Sequence, residues 1–409
     1  MNLHLQLSSL NSKVTIQVSG SKSETNRLLL LQALYPNITL ENTSNSDDSE
    51  VMLKALSSDE TVIDVHHAGT AMRFLTAYFS IQEGRIVTLT GSTRMKERPI
   101  KILVEALRQL GAEIEYIENE GFPPIKITGK KLVQNKVTLK ADVSSQYISA
   151  LLLIAPKLEH GLELTLEGTI TSIPYIKMTL ALLNEIGIET SFEGKKIIVK
   201  PQFIIHNSKF IIESDWSSAS YFYSIGALAD ENIEIILSSY KENSFQGDSA
   251  LAGIYKNFGV ETIFKNHSIV LRKSSHFKLE NLNLELNETP DIAQTIAITC
   301  FGLGIGCHLT GLHTLKIKET DRLEALKTEL SKLGAKVMVT NESLTLEPSN
   351  HINLNIKIAT YDDHRMAMAF APFAIKVPIV IENAEVVSKS YPDFWKDLET
   401  LGFGISEKK

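Results

Sequence analysis

The stretch "ILVEALRQLGAEIEYI", at residues 102–117, decides the fold because three local signals follow one another in it. Leu103, Leu107 and Leu110 recur at intervals of three and four residues, which places them on one face of a helix. Gly111 follows directly, and glycine readily takes the left-handed conformation that ends a helix. The alternating residues after it predict a short strand. The stretch therefore predicts a helix, a glycine turn and a strand.

The same unit recurs along the chain. Its further copies occupy residues 178–192, 250–264, 323–339 and 394–405, with glycines at Gly187, Gly259, Gly334 and Gly402. A degenerate copy lies at residues 49–65. One such junction is common in any α/β protein, so it is the recurrence that indicates duplication. The spacing of roughly 70 residues is longer than the common solenoid periods. We therefore predict five or six α/β units in two domains of about three each.

The composition is that of an ordinary globular chain. Its 409 residues are 43% hydrophobic and 22% charged, which suffices for a large core and favours at least two domains. The formal net charge of −7 argues against a nucleic-acid partner. Cys300 and Cys307 cannot make a disulfide framework, and residues 1–13 lack the pattern of a secretory signal. We therefore expect a cytoplasmic protein.

Residues 292–315 carry no formal charge and are long enough to suggest a membrane span. Their content disagrees, because Gln294, His308 and His313 are polar and the run "GLGIG" is a turn signal. A buried helix to about Phe301, a glycine turn and a strand "CHLTGL" describe the stretch better. We expect no membrane association.

Five polar clusters lead into predicted helices. They read "GSKSETNR" at residues 20–27, "AGTAMR" at 68–73, "SSQ" at 144–146, "KETDR" at 318–322 and "DDHR" at 362–365. Helix N-termini bind anions because their backbone N–H groups are unpaired and the helix dipole is positive there. Cations at the same ends are unfavourable unless an anion offsets their charge. If these ends face inward together, they form a pocket for phosphate and carboxylate groups.

Each cluster by itself has a simpler interpretation, as a helix cap beside a solvated cation. The full set of cations at these ends favours a shared anionic ligand: Lys22, Arg27, Arg73, Lys318, Arg322, His364 and Arg365. Asp291 and Glu319 are candidates for proton transfer, because a carboxylate near a bound hydroxyl can act as acid or base. From spacing alone, a cap or an ion-pair partner is an equally good interpretation of either.

Other chemistries find little support in the sequence. The chain has no GxxxxGK[ST] loop, no Rossmann GxGxxG, no HExxH and no paired CxxC. His66 and His67 are adjacent, so their side chains diverge and a metal site there is disfavoured. "GDSAL" at residues 247–251 lacks the surrounding pattern of a serine nucleophile. We expect neither a metal nor a cofactor.

Taken in order, the motifs resemble those of the EPSP synthase (3-phosphoshikimate 1-carboxyvinyltransferase) family over almost the whole chain. The motifs are "GSKSETNR", "AGTAMR", "RMKERP", "SSQ", "DWSSASYF", "KETDRL", "DDHRMAM" and "SKSYPDF". The resemblance implies an α/β fold of two domains, each built from three βαβαββ repeats with helix N-termini facing the inter-domain cleft. One domain would span residues 18–213, and the other would combine residues 1–17 with 214–409.

The reaction that the resemblance implies is transfer of the enolpyruvyl group of phosphoenolpyruvate to the 5-hydroxyl of 3-phosphoshikimate. The products would be 5-O-(1-carboxyvinyl)-3-phosphoshikimate and phosphate, formed through a tetrahedral ketal on the route to chorismate and the aromatic amino acids. These two small molecules would be the partners of a monomer. Glyphosate inhibits the family, but His67 and Phe74 stand where the family has Asn and Pro, so sensitivity is left open.

The motifs also carry site residues over to this chain. The residues implied for 3-phosphoshikimate are Lys22, Ser23, Arg27, Ser144, Ser145, Gln146, Ser172, Tyr175, Asp291, Thr314 and Lys318. Those implied for phosphoenolpyruvate are Lys22, Gly69, Thr70, Arg94, Gln146, Glu319, Arg322, His364, Arg365 and Lys389. Lys22 would lie between the substrates. Asp291 becomes the expected base for the 5-hydroxyl, and Glu319 the expected proton donor to C3.

Two alternatives stay open at this point. A UDP-N-acetylglucosamine 1-carboxyvinyltransferase would share the fold and the donor, but that family typically carries Cys or Asp in the loop at residues 91–99, and this loop has neither. A catalytically silent phosphate-ligand binding protein would need neither Asp291 nor Glu319, and both are present.

Overall fold

The chain forms two compact units. The computed structural model describes residues 1–7, 9–141, 144–229, 233–273 and 279–407. One unit is Ser21–Ile212, and the other combines Met1–Gly20 with Glu213–Lys409. Each has its own hydrophobic core, in which most of the apolar side chains are inaccessible to solvent.

Short strands alternate with helices along the chain. The strands are β1 Leu3–Leu7, β2 Lys13–Ile16, β3 Ile38–Glu41, β4 Val62–Asp64, β5 Ile86–Thr90, β6 Glu113–Tyr116, β7 Ile125–Thr128, β8 Lys136–Lys140, β9 Leu162–Glu167, β10 Thr190–Glu193, β11 Lys196–Val199, β12 Ser208–Ile211, β13 Glu234–Ser238, β14 Val260–Lys265, β15 Ser268–Lys273, β16 Asn281–Glu285, β17 Gly306–Thr310, β18 Val337–Val339, β19 Leu344–Leu346, β20 Ile356–Ile358, β21 Ile379–Ile381 and β22 Phe403–Glu407.

The α-helices are α1 Lys22–Leu34, α2 Asp47–Ser57, α3 Gly69–Ser80, α4 Thr93–Lys96, α5 Lys101–Gln109, α6 Ser145–Ile154, α7 Ile173–Glu185, α8 Trp216–Leu228, α9 Leu251–Ile254, α10 Ala293–Gly302, α11 Arg322–Lys332, α12 His364–Phe370 and α13 Phe394–Leu401. Four short 3-10 helices also bear on the site, at Gly247–Ala250, Pro290–Ile292, His313–Ile317 and Ala384–Lys389.

One sheet pattern repeats in both units. Strand β4 runs parallel to β5, which pairs antiparallel with β7, which pairs antiparallel with β6. The same pattern of one parallel and two antiparallel pairings occurs in the orders β8-β9-β11-β10, β2-β13-β15-β14, β16-β17-β19-β18 and β20-β21-β1-β22. Strands β3 and β12 form only the parallel pair. Among the described residues each unit thus has three related sheets, which confirms the predicted duplication.

The repeat glycines adopt the predicted conformation. Gly111, Gly187, Gly259, Gly334 and Gly402 have φ between 75° and 106°, where a residue with a Cβ is strained. Each follows a helix and precedes a strand. The helix–glycine–strand unit is therefore confirmed at all five positions.

The uncharged stretch also folds as predicted. Helix α10 ends at Gly302, and β17 begins at Gly306 after a turn. In the described ranges, no helix is both long enough and apolar enough to cross a bilayer.

The parallel pairs explain why distant motifs converge within a unit. Two parallel strands have their carboxyl ends at the same edge of the sheet, so the segments that follow them start side by side. Helices α6 and α7 follow β8 and β9 in this way. The segments with Asp291 and Lys318 follow β16 and β17, and those with Arg365 and Lys389 follow β20 and β21.

Two helices begin inside the polar clusters that lead into them. Helix α1 begins at Lys22, within the first cluster, with Ser21 as its N-cap. Likewise α3 begins at Gly69, within the second cluster. The polar residues are therefore in the first turns of these helices, because the Ser21 hydroxyl can accept from the N–H of Glu24 and start α1 there.

Candidate active site

In the unit that contains residues 213–409, three predicted cations surround the predicted base. Arg322 Nη1 donates to Asp291 Oδ1 at 3.0 Å, and Lys318 Nζ lies 3.4 Å from the same oxygen. Arg365 Nη2 donates to Oδ2 at 3.1 Å, and its Nη1 donates to the Asp291 carbonyl at 3.3 Å. Both carboxylate oxygens of Asp291 are thus held by cations.

These charges set the protonation of the cluster. Burial by itself would raise the pKa of Asp291, but Arg365, Lys318 and Arg322 together outweigh it and hold that pKa well below its usual range. Burial lowers the pKa of Lys318, and Asp291 opposes this shift. The Asp291 carboxyl is therefore ionised at neutral pH.

Arg322 connects two helix starts. Its Nη2 donates to Glu319 Oε2 at 2.7 Å, and its Nε donates to Asp363 Oδ2 at 2.6 Å. Asp363 also caps α12, since its Oδ1 accepts from the Arg365 N–H at 2.9 Å. The segments that follow β16 and β17 therefore place the predicted base, Asp291, and the predicted proton donor, Glu319, on the guanidinium of Arg322.

The remaining predicted residues of this unit lie near the same helix starts. Lys389 Nζ donates to the Asp362 carbonyl at 2.6 Å. His364 is buried, with Nδ1 3.9 Å from Asp363 Oδ1. Thr314 is buried in the short helix that precedes Lys318. Lys389 thus contacts the "DDHR" segment that contains His364, while the Thr314 hydroxyl has no hydrogen-bond partner among the described residues.

In the other unit, Lys22 belongs to a small charged group. Its Nζ lies 3.4 Å from Asp48 Oδ2, and His67 Nε2 lies 3.7 Å from Asp48 Oδ1. Asp48 is buried in the first turn of α2. It is absent from the residues predicted from the sequence, although "SDDSE" at residues 46–50 is a typical acidic helix start.

Arg27 is buried, and its guanidinium contacts hydroxyls and carbonyls of its own unit. Its guanidinium donates to the hydroxyls of Thr179 at 2.8 Å and Ser149 at 2.9 Å, and to the carbonyls of Ser23 at 2.7 Å and Tyr175 at 3.4 Å. Burial lowers the pKa of Arg27 to about 10, so it stays charged at neutral pH. It ties α1 to α6 and α7, and so brings Ser23 and Tyr175 together.

The predicted phosphate serines stand at the starts of α6 and α7. The Ser144 hydroxyl caps α6 by accepting from the Gln146 N–H at 3.3 Å. Ser145 is the first residue of α6, and Ser172 precedes α7 in a left-handed conformation with φ 54°. Left-handed backbone is uncommon outside glycine and is often retained where function requires it.

Gln146 links these serines to the next predicted motif. Its Nε2 donates to the Thr70 hydroxyl at 3.1 Å, which joins the start of α6 to the start of α3. Beside Thr70, the Gly69 carbonyl accepts from Arg73 Nη1 at 2.8 Å. A Cβ built on Gly69 would lie 2.5 Å from Arg98 Nη1. Arg98 is thus close to a predicted ligand residue, although it is not among the site residues predicted from the sequence.

Arg94 is placed differently from the other predicted cations. It lies in the short helix α4, its side chain is 48% exposed, and its Nη1 donates to Glu97 at 2.9 Å. For metals, the described residues contain no group of three or more His, Cys, Asp or Glu side chains that could hold an ion.

Comparisons with known proteins point to one family. The family model for EPSP synthase (3-phosphoshikimate 1-carboxyvinyltransferase) matches residues 54–398. A 3-phosphoshikimate 1-carboxyvinyltransferase from Bacteroides fragilis is 49% identical over 399 residues, which is 96% of each chain. One from Haemophilus influenzae is 36% identical and covers 95% of this chain and 96% of its own.

Solved structures agree on the fold. EPSP synthase from Acinetobacter baumannii has a TM-score of 0.79 at 21% identity, covering 99% of this chain and all of its own. The enolpyruvyl transferase NikO from Streptomyces tendae has a TM-score of 0.76 at 15% identity, covering all of this chain and 99% of its own. The predicted two-domain enolpyruvyl transferase fold is confirmed, and the chain belongs to the EPSP synthase (3-phosphoshikimate 1-carboxyvinyltransferase) family.

Proposed function

We propose that this chain transfers the enolpyruvyl group of phosphoenolpyruvate to the 5-hydroxyl of 3-phosphoshikimate and releases phosphate. The observation that supports this most directly is the Asp291 carboxylate, held by Arg322, Arg365 and Lys318 with Glu319 on the same guanidinium. A base and an acid beside fixed cations are the groups that addition of a hydroxyl to an anionic enol requires.

The two substrates together bring two phosphates and two carboxylates, so their binding needs several fixed positive charges. We assign 3-phosphoshikimate to Lys22, Ser23, Arg27, Ser144, Ser145, Gln146, Ser172, Tyr175, Asp291, Thr314 and Lys318. We assign phosphoenolpyruvate to Lys22, Gly69, Thr70, Arg94, Gln146, Glu319, Arg322, His364, Arg365 and Lys389. The supporting features are the helix starts that carry most of these residues.

In the proposed reaction Asp291 accepts one proton and Glu319 donates another. The 5-hydroxyl gives its proton to Asp291 while its oxygen bonds to C2 of phosphoenolpyruvate, and the C2–C3 double bond takes a proton from Glu319. The resulting ketal then loses phosphate from C2, and the leaving phosphate oxygen takes the proton held by Asp291. A C3 proton returns to Glu319, which restores the double bond in the product and the starting state of both carboxyl groups.

Substrate binding would also adjust the base. With three cations on it, Asp291 is a weak base because its pKa is so low. An anionic substrate that engages Arg365 and Lys318 would draw part of their charge away from Asp291 and raise its pKa. The same engagement of Arg322 would weaken its hydrogen bond to Glu319.

Phosphate release from phosphoenolpyruvate tests the proposal. The purified chain should release phosphate with 3-phosphoshikimate and not with UDP-N-acetylglucosamine. Release with the sugar nucleotide alone would support the rival transferase, and no release with either acceptor would contradict both enzyme activities. Omission of phosphoenolpyruvate or acceptor gives the background rate.

The monomeric state and the cytoplasmic location stay predictions. Sedimentation velocity at several protein concentrations tests the first, and fractionation of the source cells tests the second. A stable dimer or a membrane-bound pool would contradict them.

A further inference from the structure

Asp248 is a buried carboxylate that is not among the predicted site residues. It lies in the 3-10 helix Gly247–Ala250, within the "GDSAL" stretch, and is 1% exposed. Two hydroxyls donate to it, Ser217 Oγ to Oδ2 and Thr289 Oγ1 to Oδ1, the latter at 2.6 Å. Each oxygen of the carboxylate therefore has its own donor.

Both hydroxyls connect Asp248 to predicted site residues, Ser217 to Arg365 and Thr289 to the segment of Asp291. Arg365 Nη2 donates to Ser217 Oγ at 3.3 Å, from the same guanidinium that binds Asp291. Thr289 directly precedes the short helix Pro290–Ile292, which carries Asp291. A hydroxyl can donate one hydrogen bond, and both Ser217 and Thr289 donate theirs to Asp248. The lone pairs of Ser217 are consequently left to accept from Arg365.

The position is electrostatically costly, which argues against a role in stability alone. Burial and the charge of Asp291 both raise the pKa of Asp248, while Arg365 opposes the shift. Buried charges are weak contributors to stability, since desolvation cancels most of what their partners supply. A neutral acceptor would cap the two hydroxyls at lower cost.

We propose that Asp248 is a positioning residue for the transfer reaction, holding Arg365 through Ser217 and the Asp291 segment through Thr289. The proposal rests on the proposed function, in which Arg365 binds phosphoenolpyruvate and Asp291 is the base. We call the hydrogen bonds from Asp248 through Ser217 to Arg365 the Ser217 arm, and the hydrogen bond from Thr289 to Asp248 the Thr289 arm. The two arms have different kinetic consequences. The Ser217 arm acts on binding of phosphoenolpyruvate, and the Thr289 arm acts on turnover.

The first test is Asp248→Asn, which keeps the side-chain volume. An amide N–H facing Ser217 would donate to the hydroxyl and compete with Arg365. The KM for phosphoenolpyruvate should rise about 10- to 100-fold, the effect expected when a charge-assisted hydrogen bond is lost. The kcat should fall as well, while the KM for 3-phosphoshikimate changes little.

Ser217→Ala and Thr289→Val separate the arms. Ser217→Ala should reproduce the rise in KM for phosphoenolpyruvate, and Thr289→Val should reproduce the fall in kcat. Because Asp248 reaches Arg365 through Ser217, the double variant of Asp248→Asn and Ser217→Ala should raise this KM no more than the larger single effect. Additive effects on KM would overturn the proposal.

The matched control is Thr299→Val, which removes another buried hydroxyl of the same unit. Thr299 bonds to Ser224 and Tyr255 and to none of the residues above. It should lower the melting temperature without changing KM or kcat. If Asp248→Asn behaves like this control, Asp248 is only structural and the proposal fails.

Two further outcomes are informative. If Asp248→Asn fails to fold, as judged by circular dichroism, Ser217→Ala and Thr289→Val decide whether these hydrogen bonds position the site or are only structural. Should the wild-type chain release no phosphate, the proposed function fails. Calorimetric binding of phosphoenolpyruvate to the same variants then tests the Ser217 arm separately, and unchanged affinity in Ser217→Ala would overturn it.

Discussion

The Nε atom of Arg322 donates to Oδ2 of Asp363 at 2.6 Å, and neither side chain is more than 2% exposed. This buried pair joins the first residue of α11 to the N-cap of α12. Burial by itself would lower the pKa of the Arg322 guanidinium, but Asp363, together with Glu319 and Asp291, outweighs it and raises that pKa above its usual value. The helix starts that carry the predicted phosphoenolpyruvate residues are therefore fixed to each other by charge.

Asp363→Ala should destabilise the fold strongly. Removing one partner leaves Arg322 buried with less compensation, a change that typically costs about 3–5 kcal/mol. Urea unfolding measures it. The control is Glu118→Ala, which breaks the exposed ion pair with Lys96 and should have a much smaller effect. Equal effects of the two variants would contradict the structural role of the buried pair.

Gly402→Ala and Gly111→Ala together separate the effect of a steric clash from that of backbone strain. Both glycines have φ near +100°, which costs an alanine about 1–3 kcal/mol. A Cβ at Gly402 would overlap the carbonyl oxygen of Ser9, while a Cβ at Gly111 meets nothing within 4 Å. Gly402→Ala should therefore lose more free energy of unfolding than Gly111→Ala. Equal losses would show that the contact with Ser9 relaxes freely.

Asp291→Asn should lower kcat by about 10²-fold or more, because the amide cannot accept the hydroxyl proton. Binding of both substrates should change less. Steady-state phosphate release measures both quantities. Glu288→Gln, an exposed carboxylate three residues earlier, is the control and should keep the wild-type rate. A wild-type rate in Asp291→Asn would remove this residue from the mechanism.

Glu319→Gln should also lower kcat by about 10²-fold or more, since C3 loses its proton donor. In D2O, incorporation of deuterium at C3 of phosphoenolpyruvate should fall in parallel, which a purely structural change would not require. Glu324→Gln is the matched control, because Glu324 is exposed on α11 and its side chain pairs with the exposed Lys327. Unchanged deuterium incorporation in Glu319→Gln would exclude Glu319 as the donor.

Acid should destabilise the wild type more steeply than Asp291→Asn. The cations lower the pKa of Asp291 in the folded chain, so the unfolded chain binds its proton first as the pH falls. This stabilisation is present above the ordinary Asp pKa and is lost progressively as the pH falls below about 4, towards the much lower pKa of the folded chain. The gap in unfolding free energy between the two proteins should narrow over that range. Parallel curves would contradict the lowered pKa.

Much of the fold could be predicted because its signals are local. The helix–glycine–strand units depend on periodicity and on a left-handed glycine, and all five glycines adopt that conformation. The starts of α1 and α3 were harder to place, because polar residues such as Lys22 and Thr70 look like linkers before an apolar helix. Their role in the first turn depends on caps and on packing against neighbouring helices.

The site was predictable only in part. Motifs indicated Asp291, Glu319 and the cations, and the structure brings most of them together in their own units. Asp48 and Asp248 were missed because an isolated Asp in a polar stretch is indistinguishable from an ordinary cap or turn residue. What distinguishes them is burial beside Lys22 in one case and beside Ser217 and Thr289 in the other.

The sequence by itself determined the duplicated α/β architecture, the family and the residue types available for chemistry, since these follow from patterns within short stretches. The tertiary structure decided which charges meet. Arg322 contacts Asp291 because the parallel strands β16 and β17 align the starts of the segments that follow them, and it contacts Asp363 because a segment that follows a strand of another sheet packs beside it. Such contacts join residues 31 and 41 positions apart, and no local pattern encodes the distance between them once the chain has folded.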